Sequence, residues 1–177
     1  LGKPFLILLN SAHPQGEAAQ KLRAKLAEQY DVTCLAVSCL DLDQQAVTEI
    51  IQAVLYEFPL EELQLFLPDW VETLPTEHPI RTALFQAIRA QAGKLVRIRD
   101  VKPAVAAMGQ CELVTGASVT GMKLGSGCCQ ARLELPRSLF YDTLSQQTGF
   151  ALHSDGELLA LLERLAVVQA EHQKVAA

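Results

Sequence analysis

Two apolar runs decide how this chain folds: PFLILLN at residues 4–10 and DVTCLAVSCL at residues 31–40. Continuous apolar runs of this length are typical of strands in a parallel sheet that is covered on both faces. Between them, residues 14–29 place Leu22 and Leu26 on one face of a helix. A helix between two such runs predicts a parallel βαβ unit, because parallel strands need a crossover connection.

A second helix completes this unit. Asp41 or Asp43 can cap its start, and Pro59 ends it. Residues 1–60 therefore predict an α/β region of strand–helix–strand–helix, the C-terminal βαβα part of a larger parallel sheet. Two strands are too few to form a stable sheet, so we expect the remaining strands upstream of Leu1.

The pattern changes after residue 60 to that of a small α+β domain with a β-hairpin and flanking helices, predicted for residues 61–155. Its elements are a short strand or extended link at 63–67, a helix at 78–92, a helix at 94–110 that Pro103 either kinks or starts, an extended segment at 111–124, a turn at Gly125–Gly127, a strand at 129–135 and a helix at 138–147 that ends at Gly149. Residues 156–177 predict an amphipathic helix that leads into a following domain. Because the chain begins at Leu1 and stops inside this helix, we expect a fragment.

Composition excludes several classes of protein. The 177 residues include 20 acidic and 15 basic side chains, and half of the chain is hydrophobic. Such a chain is too hydrophobic to be disordered, and its acidic balance argues against a nucleic-acid partner. No uncharged apolar run approaches the length of about 20 residues that spans a membrane, so we expect neither a transmembrane protein nor a signal peptide.

Charge is distributed unevenly along the sequence. Residues 26–80 hold eleven acids and no Lys or Arg, whereas residues 81–102 hold six bases and one acid, Asp100. One interpretation is a pair of solvated faces of opposite sign. The other is polarity for self-association, in which the acidic surface of one subunit meets the basic surface of the next.

The five cysteines are odd in number and include no CxxC pair. Disulfide frameworks need an even number, and zinc sites need paired ligands at short spacing. We therefore expect buried, reduced thiols and no metal site. No catalytic set of side chains can be assembled from the linear order either.

One glycine-containing stretch partly resembles a phosphate-binding loop (P-loop). A P-loop needs a Lys at a fixed position between a strand and a helix, where it holds the phosphates together with backbone N–H groups. The nearest string, GASVTGMK at residues 116–123, has Met122 in place of that Lys and lies among predicted strands. The sequence therefore predicts no P-loop in this chain.

Polar residues follow both predicted strands, at the edge where open parallel sheets bind ligands. They are Asn10 and Ser11 after the first strand and Ser38 and Cys39 after the second. GTPase-like P-loop proteins carry an Asn-Lys-x-Asp motif and a Ser-Ala-(Lys/Leu) motif after their last two strands, and these residues resemble both in part. His13 replaces the Asp that recognises guanine, so we expect no guanine selectivity. The alternative is that Asn10 and Ser38 only end strands and cap helices.

Several short blocks, in the same order along the chain, resemble the stage IV sporulation protein A family, the spore-coat morphogenetic ATPases of endospore-forming bacteria. The blocks are Lys3–Pro14, Val54–Pro59, Leu67–Glu72, Arg97–Asp100, and Leu139–Tyr141 with Leu144, Ser145, Thr148 and Gly149. The resemblance implies that residues 1–60 are the end of an ATPase domain and residues 61–155 the middle domain. The resemblance implies four cofactor-binding positions in this chain, where the base of the nucleotide would lie. They are Asn10, Ser11, Ser38 and Cys39.

The resemblance also implies a function for the full-length protein. The family uses ATP with Mg²⁺ and polymerises in the mother-cell cytoplasm into a shell on the forespore surface, the basement layer of the spore coat. Its partners are other copies of itself, spore-coat morphogenetic proteins and a small amphipathic membrane-bound peptide. Since this chain lacks the P-loop, we expect it to hydrolyse no ATP alone.

Two other hypotheses remain open on the residues. The chain could be a stand-alone, non-enzymatic α+β protein-interaction module, in which the βαβα start is purely structural. It could also be a small-ligand α/β protein of the flavodoxin type, although a two-stranded parallel sheet offers no complete pocket.

Overall fold

The computed structural model of the protein describes residues 3–175. They form two compact units, one extending through Leu133 and one beginning at Glu134. The predicted domain boundary after residue 60 lies within the first unit and stays a prediction. The chain ends at Leu1 and Ala177, on which the expectation of a fragment rests, lie outside the described residues.

The first sheet alternates with its helices along the chain, in the order β1 (Ile7–Asn10), α1 (Glu17–Tyr30), β2 (Cys34–Val37) and α2 (Gln44–Tyr56). The two strands are parallel, with a register that runs from Ile7 opposite Cys34 to Asn10 opposite Val37. The predicted order of strand–helix–strand–helix is therefore confirmed. Both strands are shorter than the apolar runs that predict them.

One expectation about β1 is wrong. The apolar run predicts a strand buried on both faces, but the side chain of Leu8 is 47% exposed. The described sheet has only two strands, and neither α1 nor α2 contains a fully buried residue. So small a layer covers one face of β1 and leaves the other accessible to solvent.

Local side chains set the ends of these helices. Of the two candidate caps of α2, Asp43 is the one used, because its Oδ1 accepts a hydrogen bond of 2.7 Å from the backbone N–H of Ala46. Asp31 ends α1 in the left-handed conformation, with φ 49°. This conformation reverses the backbone sharply and brings the chain back towards β2.

The second sheet has three strands, β3 (Glu62–Phe66), β4 (Gly116–Lys123) and β5 (Cys128–Glu134). β5 lies between the other two and runs parallel to β3, with Glu62 opposite Cys128. Only residues 124–127 connect β4 to β5, which is too short for a parallel crossover and makes this pair a hairpin, as predicted.

The core of the first unit lies beneath β5. The expected alternation along this strand is confirmed, since Cys129, Ala131 and Leu133 are buried and the residues between them are not. Cys129 and Ala131 pack against Ile98 and Val101. Because β5 has β3 on one side and β4 on the other, its buried face is the centre of this layer.

Helical segments connect β3 to β4: α3 (Trp70–Thr73), α4 (Pro79–Ala92), a 3-10 helix (Ile98–Asp100) and α5 (Val101–Met108). The predicted helix at 94–110 is therefore shorter than expected. Pro103 lies in the first turn of α5, where the N–H that proline lacks would have no partner inside the helix. Of the two predicted roles for Pro103, it marks a helix start.

The second unit is built from α6 (Arg137–Thr148) and α7 (Asp155–Val175). α6 ends at Gly149 in the left-handed conformation, with φ 74°, as the glycine predicts. Tyr141, Leu152 and Leu161 form a small buried cluster. The amphipathic helix predicted at 156–177 packs Leu158 and Leu161 into this cluster, whereas Leu162, Leu165 and Val168 are exposed.

Candidate functional site

The four candidate residues lie together at the carboxyl ends of β1 and β2. The backbone N–H of Cys39 donates a hydrogen bond of 3.1 Å to Oδ1 of Asn10. Beside it, the backbone N–H of Ser11 donates to the carbonyl oxygen of Val37 at 2.9 Å. The side chain of Asn10 therefore bridges the two strand ends.

The two serine hydroxyls are used in the turns that follow the strands. Oγ of Ser11 accepts a hydrogen bond from the backbone N–H of His13 at 3.2 Å. Oγ of Ser38 donates to Oδ2 of Asp41 at 2.7 Å. These contacts shape the two loops, so the structural role that the sequence offers as an alternative is present for both serines.

Among the described residues, one polar group of the Asn10 side chain has no hydrogen-bond partner. Its side chain is exposed, its Oδ1 is occupied by Cys39, and its amide nitrogen donates to no acceptor among residues 3–175. An exposed amide N–H₂ beside a strand end can donate to a ring nitrogen or a carbonyl of a planar heterocycle. The backbone N–H of Cys39 is already committed and is not available as a second donor.

The string of this chain that is closest to a phosphate loop does not have the structure of one. Residues 116–123, the string closest to a phosphate loop, form the strand β4. Within the part of the chain that the structure describes, no group of three His, Cys, Asp or Glu side chains could hold a metal ion.

A buried ion cluster, which sequence reasoning missed, lies in the same unit. The side chain of Glu57 is only 2% exposed, and two arginines contact its carboxylate, Arg97 at 3.2 Å and Arg99 at 3.0 Å. The hydroxyl and the backbone N–H of Thr33 also donate to Glu57. Every oxygen of this buried carboxylate therefore has a charged partner.

Asp31 completes the cluster from the end of α1. Its carbonyl oxygen accepts hydrogen bonds from both Arg97 and Arg99, the latter at 2.7 Å. Its carboxylate forms an ion pair of 2.7 Å with Arg99. A signal was present in the sequence, because two of the blocks that carry the family resemblance, Val54–Pro59 and Arg97–Asp100, supply Glu57 and the arginines.

A cleft opens beside this cluster, with a volume of about 550 Å³. Its walls are largely apolar and include three exposed hydrophobic side chains, Phe5, Phe58 and Val96. Glu57 and Arg97 line it as well. It lies at the start of β1, whereas Asn10 lies at the end of that strand, so the cleft and the candidate base site are separate features.

The cysteines differ in burial more than the sequence predicts. All five are free thiols, but only Cys34 and Cys129 are buried, and Cys39 is exposed. Burial raises the pKa of both buried thiols above its ordinary value. The expectation of buried thiols is therefore correct for these two and wrong for Cys39, which lies in the loop after β2.

Two family profiles of known proteins match this chain and indicate its class. The family profile described as stage IV sporulation protein A, ATPase domain, matches residues 1–59, and the one described as its middle domain matches residues 60–177. The fold agrees with this in outline, since a small parallel α/β layer precedes a mixed sheet with flanking helices. No solved structure matches the chain.

The chain belongs to the stage IV sporulation protein A family. It is 32% identical over 175 residues to the stage IV sporulation protein A of Clostridioides difficile (strain 630) and 29% identical over 175 residues to that of Bacillus subtilis (strain 168). The protein of that name from Bacillus anthracis is 30% identical over 176 residues. Each match covers 99% of this chain but only 36% of the relative.

Its relatives are thus named as sporulation proteins, and the chain spans about a third of their length. Among residues 3–175, no helix is both long and apolar enough to cross a bilayer.

Proposed function

We propose that this chain supplies the base contact and the assembly surface of an ATPase that polymerises on the forespore surface and forms the basement layer of the spore coat. Residues 1–60 are the end of a P-loop, GTPase-like ATPase domain, 61–155 are the middle domain, and 156–177 lead into a following domain. The protein works in the mother-cell cytoplasm. It assembles with copies of itself, with spore-coat morphogenetic proteins and with a small amphipathic membrane-bound peptide.

One observation supports the base contact above all others. Asn10 and Cys39, 29 residues apart, are joined by a hydrogen bond at the ends of adjacent parallel strands. Ligands of open parallel sheets bind at such an edge. The free amide N–H₂ of Asn10 then contacts the adenine ring, while Ser11 and Ser38 hold the two loops in place.

We infer that the chain alone does not act on phosphates, because its nearest match to a phosphate loop, residues 116–123, forms the strand β4. Phosphoryl transfer depends on positioning the phosphates and neutralising their charge, and both require a phosphate loop and metal ligands. ATP with Mg²⁺ is therefore the cofactor of the full-length protein, and this chain by itself neither binds ATP tightly nor hydrolyses it.

A chimera tests this proposal, with residues 1–177 replacing the matching segment of the Bacillus subtilis relative. We expect Asn10→Ala to raise KM for ATP by about tenfold, the equivalent of one hydrogen bond, and to change kcat by less than about twofold. The matched control is Gln15→Ala, which removes another exposed amide from the turn before α1.

Equal KM values for the chimera and its Asn10→Ala variant would contradict the base contact and leave the strand ends with only a structural role. A chimera that hydrolyses ATP but never sediments as an assembly would contradict the assembly role.

A further inference from the structure

The ion cluster explains part of the uneven charge of this chain. Asp31 and Glu57 come from the acidic stretch at 26–80, and Arg97 and Arg99 come from the basic stretch at 81–102. The two stretches therefore meet inside a single chain. Nine of the eleven acids and four of the six bases lie outside this cluster, and none of these forms an ion pair within residues 3–175.

Two of these remaining bases lie on α4 beside a cleft of about 350 Å³. Arg81 and Arg89 line it together with the ring of Phe85, which is 38% exposed. The other lining residues are neutral and polar, namely Thr76, Thr82 and Gln86. No acid lines this cleft, although the chain carries a net charge of −5.

The guanidinium groups of Arg81 and Arg89 have hydrogen-bond donors that the described residues do not use. The guanidinium of Arg81 lies over the Phe85 ring, 5.6 Å from its centroid, and one of its nitrogens donates to the carbonyl oxygen of Leu74. Arg89 forms no ion pair among the described residues. A guanidinium has five N–H donors, so both arginines can still bind carboxylates.

The loop after β2 has the complementary chemistry. Leu40 is 93% exposed, more than any other large hydrophobic side chain among the described residues. Asp41 and Asp43 flank the next leucine, and both are exposed. Each uses one carboxylate oxygen locally, Asp41 with Ser38 and Asp43 with Ala46, which leaves the second oxygen available.

We propose that the α4 cleft of Arg81, Phe85 and Arg89 binds the loop Leu40–Asp43 of a second copy of this chain. Leu40 packs on the ring of Phe85, and the aspartates pair with the two arginines. This proposal rests on the assembly role proposed above and names the surfaces that perform it.

The two surfaces differ chemically and belong to one compact unit, so the contact is heterologous. Each copy that joins by its loop still offers a cleft, and each copy that joins by its cleft still offers a loop. A contact of this kind extends into an open chain unless its rotation closes a ring. Its charged part weakens as salt rises, because ions screen exposed pairs.

Sedimentation velocity of the chain, up to about 200 µM, measures this association. We expect Arg89→Glu and Leu40→Ser each to weaken it by at least about tenfold. Lys25→Glu is the matched control for charge, since Lys25 is exposed on α1 and the net change is the same. Leu159→Ser is the control for apolar exposure, since Leu159 is 59% exposed on α7.

Mixing the two defective variants tests the pairing itself. Arg89→Glu keeps an intact loop, and Leu40→Ser keeps an intact cleft. A heterologous contact predicts that an equal mixture forms dimers and nothing larger, because each dimer has one intact contact and no further usable surface.

The outcomes separate the two proposals. If both variants associate as the wild type does, or if their mixture stays monomeric, the α4 cleft is not the docking site and the assembly role survives. The docking site also fails if Lys25→Glu or Leu159→Ser weakens association as strongly as the two test variants. A wild-type chain that stays monomeric at about 200 µM in low salt overturns both the docking site and an assembly surface in this chain.

Discussion

The carboxylate of Glu57 accepts a hydrogen bond of 3.0 Å from the guanidinium of Arg99, across 42 residues of sequence. Glu57 caps the end of α2, and Arg99 lies in the 3-10 helix before α5. The pair therefore ties the βαβα region to the helices that support the second sheet. A charge this deeply buried is stable only while its partners stay in place.

Removing the charge of Glu57 tests this link. We expect Glu57→Gln to lower the free energy of unfolding by about 2 kcal/mol, because Arg97 and Arg99 lose their buried counter-charge. Urea denaturation of the chain measures the difference. Glu49→Gln on the exposed face of α2 is the control and should change the free energy of unfolding by no more than about 0.5 kcal/mol. Equal urea midpoints for Glu57→Gln and the wild type would show that the cluster contributes nothing to stability.

A substitution at Gly127 tests the conformation of the turn between β4 and β5. It has φ 66°, and a Cβ there would lie 2.9 Å from the carbonyl oxygen of Pro59. We expect Gly127→Ala to destabilise the chain by about 2 kcal/mol, from backbone strain and from this close approach. Thermal denaturation should show the loss as a lower Tm.

The same turn supplies a matched control, because a Cβ on Gly125 would meet nothing within 4 Å. Gly125→Ala should leave Tm nearly unchanged. If the two alanine variants melt together, the hairpin geometry described for Gly127 is incorrect.

The lowered pKa of Asp155 predicts how the stability of the chain changes at acid pH. A hydrogen bond from the Tyr141 hydroxyl, and then one from Arg137, lower the pKa of Asp155 below its ordinary value. A carboxyl with a lowered folded-state pKa stabilises the fold above its unfolded-state pKa, and this contribution is lost as pH falls through the folded-state value. We therefore expect Tm to fall below about pH 4, and to fall less steeply in Asp155→Asn.

Asp142→Asn is the control for this acid response, since Asp142 is an exposed acid on the same helix as Tyr141. The hydrogen bond between Tyr141 and Asp155 also raises the pKa of Tyr141. The stabilisation that comes from Tyr141 therefore has the opposite dependence on pH. Its contribution is present below the ordinary tyrosine pKa and is lost as pH rises through the folded-state value. Identical acid profiles for Asp155→Asn and the wild type would contradict the role of Asp155.

Local features of the sequence were predictable because they depend on near neighbours. Asp43 caps α2 through the N–H of Ala46, three residues away, and Gly149 ends α6. The alternation that buries Cys129 and Ala131 has a period of two residues and needs only the strand itself. The juxtaposition of Asn10 and Cys39 was also foreseeable, because parallel strands bring their carboxyl ends to one edge.

The sequence by itself thus determined the order of the main strands and helices and several of their ends. Only the tertiary structure decided which charges meet. Arg99 reaches Asp31 across 68 residues and Glu57 across 42, and no local pattern encodes such pairs. The exposure of Leu8 and of Leu40 is also a tertiary result. The physical reason is that capping and periodicity act over one or two turns of chain, whereas burial and ion pairing depend on which distant elements the packing brings together.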